Sequence, residues 1–260
     1  MNLYSQYAND LSDSCLKKEL LSKLYIIDST TISLFKQILK GAGRNPKQGK
    51  KKGGIKAHVV IRADEDVPCL VKYTAAAKHY HTLLKYLDLP KGSFLTFDKG
   101  YVDYAAYEKF TQNAICYITK LKDNAKYISE MEIDIPESAD SGILKDEIIQ
   151  LKYGENKKLI HKARRVAYWD GEKNKVFVYV TNNVDLDAES IVNIYRKRWQ
   201  IELLFKRLKQ NFPLKYFLGD NVNAIEIQIW IAMIANLLMT LIKSKLQKSK
   251  LAFSTIISMV

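Results

Sequence analysis

Two periodicities divide the chain. Leu24-Tyr25-Ile26-Ile27 and Phe94-Leu95-Thr96-Phe97 are short apolar, β-prone runs bounded by turn formers, the pattern of buried strands. Residues 55–61 and 67–73 predict a pair of strands, 114–120 another, and 79–87 and 103–112 helices. From about 125 to 182 apolar and polar residues alternate, in Arg165-Val-Ala-Tyr-Trp and Lys175-Val-Phe-Val-Tyr-Val among others. Asp170-Gly171 between those two runs is a hairpin signal. After Asp187, a plausible N-cap, the period becomes helical. Ile194, Ile201, Leu204, Phe205 and Leu208 form one stripe, and Phe212-Pro213 ends it because the residue before proline avoids the helical region. Residues 224–242 are almost continuously apolar and approach the length of a membrane span. Glu226, Gln228, Asn236 and Thr240 interrupt them, which predicts a buried helix closing an α/β core.

Candidate chemistry sits at the ends of these elements. Asp28 follows the first strand and Asp98 the Phe94 run. Carboxylates at the carboxyl ends of buried strands point into the crevice where open α/β sheets place their sites, although aspartate is also an ordinary turn former. Tyr195, Arg198, Glu202 and Lys209 fall within about 60° of one another on a helical wheel, beside the apolar stripe. A glutamate flanked by two cations and a phenol suits a metal ion beside a phosphate backbone, and equally a solvated ion pair. The glycine- and lysine-rich stretch 41–54 fails the phosphate-loop pattern, with Arg44 where glycine is needed and Lys51 where serine or threonine is needed. Arg44, Lys50, Lys51 and Lys52 are expected to contact DNA backbone non-specifically. His58, His79, His81 and His161 have no zinc-ligand spacing.

Composition narrows the partner class. The 260 residues carry a formal charge of +13, which favours a polyanion, nucleic acid before membrane. Cys15, Cys69 and Cys116 are far apart and suggest neither a disulfide framework nor a zinc knuckle, in keeping with a reducing cytoplasm. The polar N-terminus lacks a signal-peptide pattern.

Asp28-Ser-Thr-Thr, Asp98-Lys-Gly-Tyr101 and the Tyr195/Arg198/Glu202/Lys209 block together resemble the three motif blocks of the insertion-sequence-four family of bacterial DDE transposases. The order agrees, as does the 104-residue interval from Asp98 to Glu202. Gly53-Gly-Ile-Lys56-Ala-His58 and Ala235-Asn-Leu-Leu support it, so the resemblance spans roughly residues 22–245. It implies an α/β, ribonuclease-H-like mixed sheet flanked by helices, with a catalytic core at 22–124 and 183–260 and a β-rich insertion at 125–182. Residues 1–21 would be a remnant or short helix. Asp28, Asp98 and Glu202 would bind two Mg²⁺ ions, with Mn²⁺ as a substitute. The substrates would be double-stranded DNA at terminal inverted repeats and target DNA, handled by a dimer assembled on DNA in the bacterial cytoplasm at the nucleoid, with no membrane. Tyr195, Arg198 and Lys209 would hold phosphates. If cleavage proceeds through a hairpin, Trp169 is the candidate platform for a flipped base.

Family members carry a sizeable domain before the first catalytic strand, and here only about twenty residues precede it. Both ends therefore read as clipped. The competing expectations are a non-catalytic or domesticated DNA-binding remnant and a ribonuclease-H-like nuclease that is not a transposase. The tyrosine, arginine and lysine around Glu202 argue against the nuclease.

Overall fold

The computed structural model describes residues 16, 18–33, 54–65, 67–75, 80–135, 142–154, 156, 158–212, 214, 216–219 and 221–245. Arg44, Lys50, Lys51 and Lys52 lie outside the described residues. The chain divides into two compact units, one of Met1–Asp28, Val60–Asp66 and Tyr80–Trp199, the other of Ser29–Val59, Val67–His79 and Gln200–Val260.

The first elements are α1 (Lys18–Ser22), β1 (Leu24–Ser33), β2 (Gly54–Arg62) and β3 (Val67–Ala75). A 3₁₀ turn (Tyr80–Tyr86), β4 (Phe94–Phe97), a second 3₁₀ turn (Lys99–Tyr101), α2 (Tyr104–Gln112) and β5 (Cys116–Lys120) follow. An antiparallel run comes next: β6 (Tyr127–Glu132), β7 (Ile143–Tyr153), β8 (Leu159–Asp170) and β9 (Lys175–Thr181). Three helices close the described chain: α3 (Ala188–Lys197), α4 (Trp199–Asn211) and α5 (Val222–Lys245). The nine strands among the described residues are ordered β3-β2-β1-β4-β5-β9-β8-β7-β6. β4 runs parallel to both β1 and β5, whereas β5 and β9 are antiparallel. The sheet is thus mixed and flanked by helices, as expected.

In the first unit, α2 packs its Ala106, Tyr107 and Phe110 face into a core shared with Phe97, Tyr117, Val180 and Leu151. Tyr107 stacks on Tyr117 with ring centroids 4.5 Å apart, and Phe97 lies 5.5 Å from Tyr107. Buried His161 on β8 bonds the Tyr117 hydroxyl through Nε2 at 2.7 Å and Glu108 of α2 through Nδ1 at 2.8 Å. Burial holds His161 below the usual histidine range, opposed by Glu108, so it is a neutral bridge between helix and sheet. Buried Arg164 donates from Nε to Asp146 at 2.8 Å and from its NH1 nitrogen to the Leu186 carbonyl, which ties β7 and β8 to the segment entering α3. Asp187 then caps α3, accepting from the Ser190 N–H at 2.7 Å. Gly142 is a required glycine: its φ is +63°, and a Cβ there would stand 2.8 Å from the Trp169 carbonyl oxygen.

Three elements differ from the sequence expectation. β1 runs on to Ser33 instead of stopping at Asp28. Ala114 sits left-handed at φ 55°, ending the turn after α2, so β5 begins at Cys116. The expected single helix after Asp187 is broken at Arg198, whose N–H bonds the Tyr195 carbonyl three residues back at 3.0 Å. That tighter turn ends the common wheel on which Tyr195 and Glu202 were placed.

Candidate active site

β1 and β4 pair in register up to Ile27 and Phe97, so Asp28 and Asp98 are the next residues along two neighbouring parallel strands. Adjacent strands lie about 4.8 Å apart, which puts these carboxylates side by side. Buried Phe97, locked into the aromatic stack, fixes the strand end from which Asp98 projects. Asp98 also accepts from the Gly100 N–H at 3.0 Å and so caps the 3₁₀ turn behind it. Beside Asp98, an open recess of about 510 Å³ is lined by Lys99, Gly100, Lys122, Asp123 and Asn124.

Cations face this pair. Arg198 donates to Asp28 Oδ2 at 3.2 Å, and its guanidinium carbon lies 5.5 Å from the Tyr195 ring centroid. Tyr195 is buried, packed 5.0 Å from the Tyr179 ring. Burial pushes its hydroxyl up to about 12, Arg198 pulling it down and Asp98 adding to the rise, so it is a phenol rather than a phenolate at neutral pH.

Lys120 is a residue that the motif reading missed. It ends β5, the third parallel strand, and its ammonium sits 3.9 Å from the Phe177 ring centroid and 5.2 Å from that of Tyr195. Burial and then Arg198 lower it to about 8, against the pull of Asp98. The same strand-end argument that picked out Asp28 and Asp98 would have found it, had cations been searched as well as carboxylates.

The remaining candidates are placed as follows. Glu202 is half-buried in the first turn of α4, in the second unit, and Lys209 is exposed in the last turn of that helix. Among the described residues no group of three or more histidine, cysteine, aspartate or glutamate side chains could hold a metal ion. The paired hard oxygens of Asp28 and Asp98 fit a small divalent cation, a ligand class that takes carboxylate oxygen. Trp169 pairs with Val176 across the β8–β9 hairpin, 39 % exposed. It points to the sheet face opposite that of Tyr168 and Phe177, because strand side chains alternate. Tyr168 and Phe177 carry the cations: Arg196 donates to the Tyr168 hydroxyl at 2.7 Å, and Lys173 and Lys175 stand 5.7 and 5.9 Å from the Phe177 centroid.

This mixed sheet with its flanking helices is a ribonuclease-H-like fold. The fold is shared with piggyBac transposase, seen in a synaptic complex with hairpin DNA, at TM-score 0.58 and 10 % identity over 91 % of this chain and 51 % of that one. The family model described as a transposase DDE domain matches residues 20–238, and the chain belongs to that family, among transposases of the insertion-sequence-four type. A putative transposase of Sinorhizobium fredii is 30 % identical over 86 % of this chain and 62 % of its own length. A probable transposase for the insertion sequence element IS5377 of Geobacillus stearothermophilus is 26 % identical over 91 % and 61 %. A putative transposase for the element IS4SA of Synechocystis is 50 % identical over 54 residues, 21 % of this chain. The chain spans about three fifths of the length of the first two relatives. DDE transposases generally use divalent metal ions.

Proposed function

We propose that this chain is the catalytic part of a cut-and-paste DNA transposase that cleaves and joins phosphodiester bonds at insertion-sequence ends. The observation that carries the reading is Asp28 and Asp98 on adjacent parallel strands, faced by Arg198, Tyr195 and Lys120. Asp28, Asp98 and Glu202 would hold Mg²⁺, with Mn²⁺ able to replace it. When bound, such ions would supply Lewis acidity at the attacking and leaving oxygens of the phosphodiester.

The chain's own residues do the rest. Arg198 would grip a phosphate with its planar fork, exchanging the Asp28 contact for the phosphate when DNA binds. The protonated Tyr195 hydroxyl donates to a phosphate oxygen. Lys120 adds positive charge over an aromatic floor, and Lys209, Arg44, Lys50, Lys51 and Lys52 neutralise other backbone phosphates. Trp169 is the candidate platform for an unpaired base, on the β-rich insertion at 125–182. Terminal inverted repeats and target DNA are the substrates, acted on by a DNA-assembled dimer at the nucleoid.

The test is nicking of supercoiled DNA in Mg²⁺ or Mn²⁺, with binding followed by fluorescence anisotropy. The parent should nick, while Asp98→Asn, which removes a charge at nearly constant shape, should bind DNA and leave it intact. Equal cleavage by both would refute the aspartate assignment. DNA binding without any cleavage by the parent would leave a DNA-binding remnant as the function.

A further inference from the structure

Asp98 leaves the end of a strand only four residues long, and its support lies on the far side of the sheet. Strand side chains alternate, so Phe97 points to the face opposite Asp98, into the aromatic cluster beneath α2. The Phe97 carbonyl accepts from the buried Thr119 hydroxyl at 2.7 Å, and the Tyr101 ring beyond Asp98 lies 6.2 Å from that of Phe97. Asp98 is thus held between two residues of one cluster, and its direction follows where the Phe97 ring settles.

Phe97 is packed by Tyr107 and Tyr117, whose rings lie 5.5 and 6.4 Å away and stack on each other at 4.5 Å. The two tyrosines are anchored differently. The buried Tyr107 hydroxyl bonds no group among the described residues, so packing holds that ring. The hydroxyl of fully buried Tyr117 lies 2.7 Å from His161 Nε2, and His161 Nδ1 lies 2.8 Å from Glu108 Oε2. A carboxylate can only accept, so Nδ1 carries the ring proton. Nε2 of the neutral imidazole is then the acceptor, and the Tyr117 hydroxyl donates to it. His161 therefore supplies a polar anchor for the stack under Asp98, and it does so from β8, in the β-rich segment.

We propose that His161 is a positioning residue for the catalytic centre: by accepting from Tyr117 it holds the Tyr107–Tyr117 stack against Phe97 and so aims the Asp98 carboxylate. The β-rich segment then has a role beyond the DNA contacts proposed for it, since one of its strands sets the geometry of an aspartate on β4. The inference rests on Asp98 being a metal ligand, and the experiment separates the two.

Asparagine and glutamine divide the imidazole between them. The amide nitrogen of His161→Asn reaches the place of Nδ1 and keeps the Glu108 bond, but it strands the buried Tyr117 hydroxyl without an acceptor. The amide oxygen of His161→Gln reaches the place of Nε2 and keeps the Tyr117 bond. Binding of Mn²⁺ to the full chain without DNA, followed by loss of the free ion's paramagnetic resonance signal, reads the aspartate geometry without cleavage. His161→Asn should weaken that binding about ten-fold, the lower end of what a group supporting a metal ligand contributes, and His161→Gln by no more than about two-fold. Adding Tyr117→Phe to His161→Asn removes the stranded hydroxyl and should return the affinity to within about three-fold of the parent. Unchanged affinity in His161→Asn, a loss as large in His161→Gln, or no recovery in the double variant would each overturn the proposal. A fall in melting temperature without a change in Mn²⁺ affinity would reduce His161 to a tie between α2 and β8. Should His161→Asn fail to fold alone, parent-like affinity in both the double variant and His161→Gln upholds the proposal and a loss in either overturns it. Asp98→Asn, run alongside, should abolish binding. If it does so while His161→Asn changes nothing, only the positioning falls; if it does not, the metal reading of Asp98 falls first.

Discussion

Replacing Lys120 by methionine should make the protein more stable and poorer at holding DNA. The side chain ends a buried strand with its ammonium against Phe177, and burial lowers it from 10.5 to about 8. A base whose folded value lies below its unfolded value is charged at a cost to the native state. That cost is complete below pH 8 and is relieved as pH rises from 8 towards 10.5. The shift of 2.5 corresponds to at most about 3.4 kcal/mol. Solvent screening of a partly exposed group and an offsetting cation–π attraction of about 1–2 kcal/mol reduce the net cost to about 1–2 kcal/mol. Methionine keeps the unbranched stem without the charge, so Lys120→Met should raise the melting temperature at pH 7 by roughly 3–6 °C. The gain should shrink towards zero near pH 10, where the parent's own lysine is largely neutral. Calorimetry at pH 7, 8.5 and 10 reads this, and anisotropy with duplex DNA should show weaker binding and a log K versus log salt slope shallower by roughly 1. A variant less stable than the parent at pH 7, or a gain independent of pH, would refute the reasoning.

Two further outcomes follow from the same geometry. Arg198→Ala removes the cation 3.2 Å from Asp28, so it should tighten Mn²⁺ binding several-fold by calorimetry in the absence of DNA, while shallowing the DNA salt slope by roughly 1. Unchanged values for both would make the ion pair a passive surface contact. His58, buried and bonded to Thr74 at 2.9 Å, is lowered to about 4 by burial and then by Lys56 and Lys72, so it supports a stability present above pH 6.5 and lost as pH falls towards 4. The parent should lose urea resistance across that window, and His58→Gln should show a flatter profile; parallel profiles would assign the loss to other groups.

Periodicity alone was enough for the alternating strands of residues 125–182 and for the apolar runs before Asp28 and Asp98, because a two-residue repeat and a short apolar run are local signatures of burial. Charge type and spacing were likewise enough to single out Asp28, Asp98 and Arg198, since few roles place carboxylates at strand ends and a cation between Tyr195 and Glu202. Only the tertiary structure put β4 between β1 and β5, and with it Asp28 beside Asp98 and Lys120 within reach of both Phe177 and Tyr195. Strand order depends on which distant faces bury each other, and no local repeat encodes it. The break at Arg198 is also non-local: residues 188–211 have a continuous helical pattern, yet Arg198 turns three residues back and bonds Asp28, 170 positions away. The long apolar helix makes the same point. Its composition reads as uniformly buried, and only packing decides that Ile225 and Ile229 face the protein while Ile231 and Ile234 face outward.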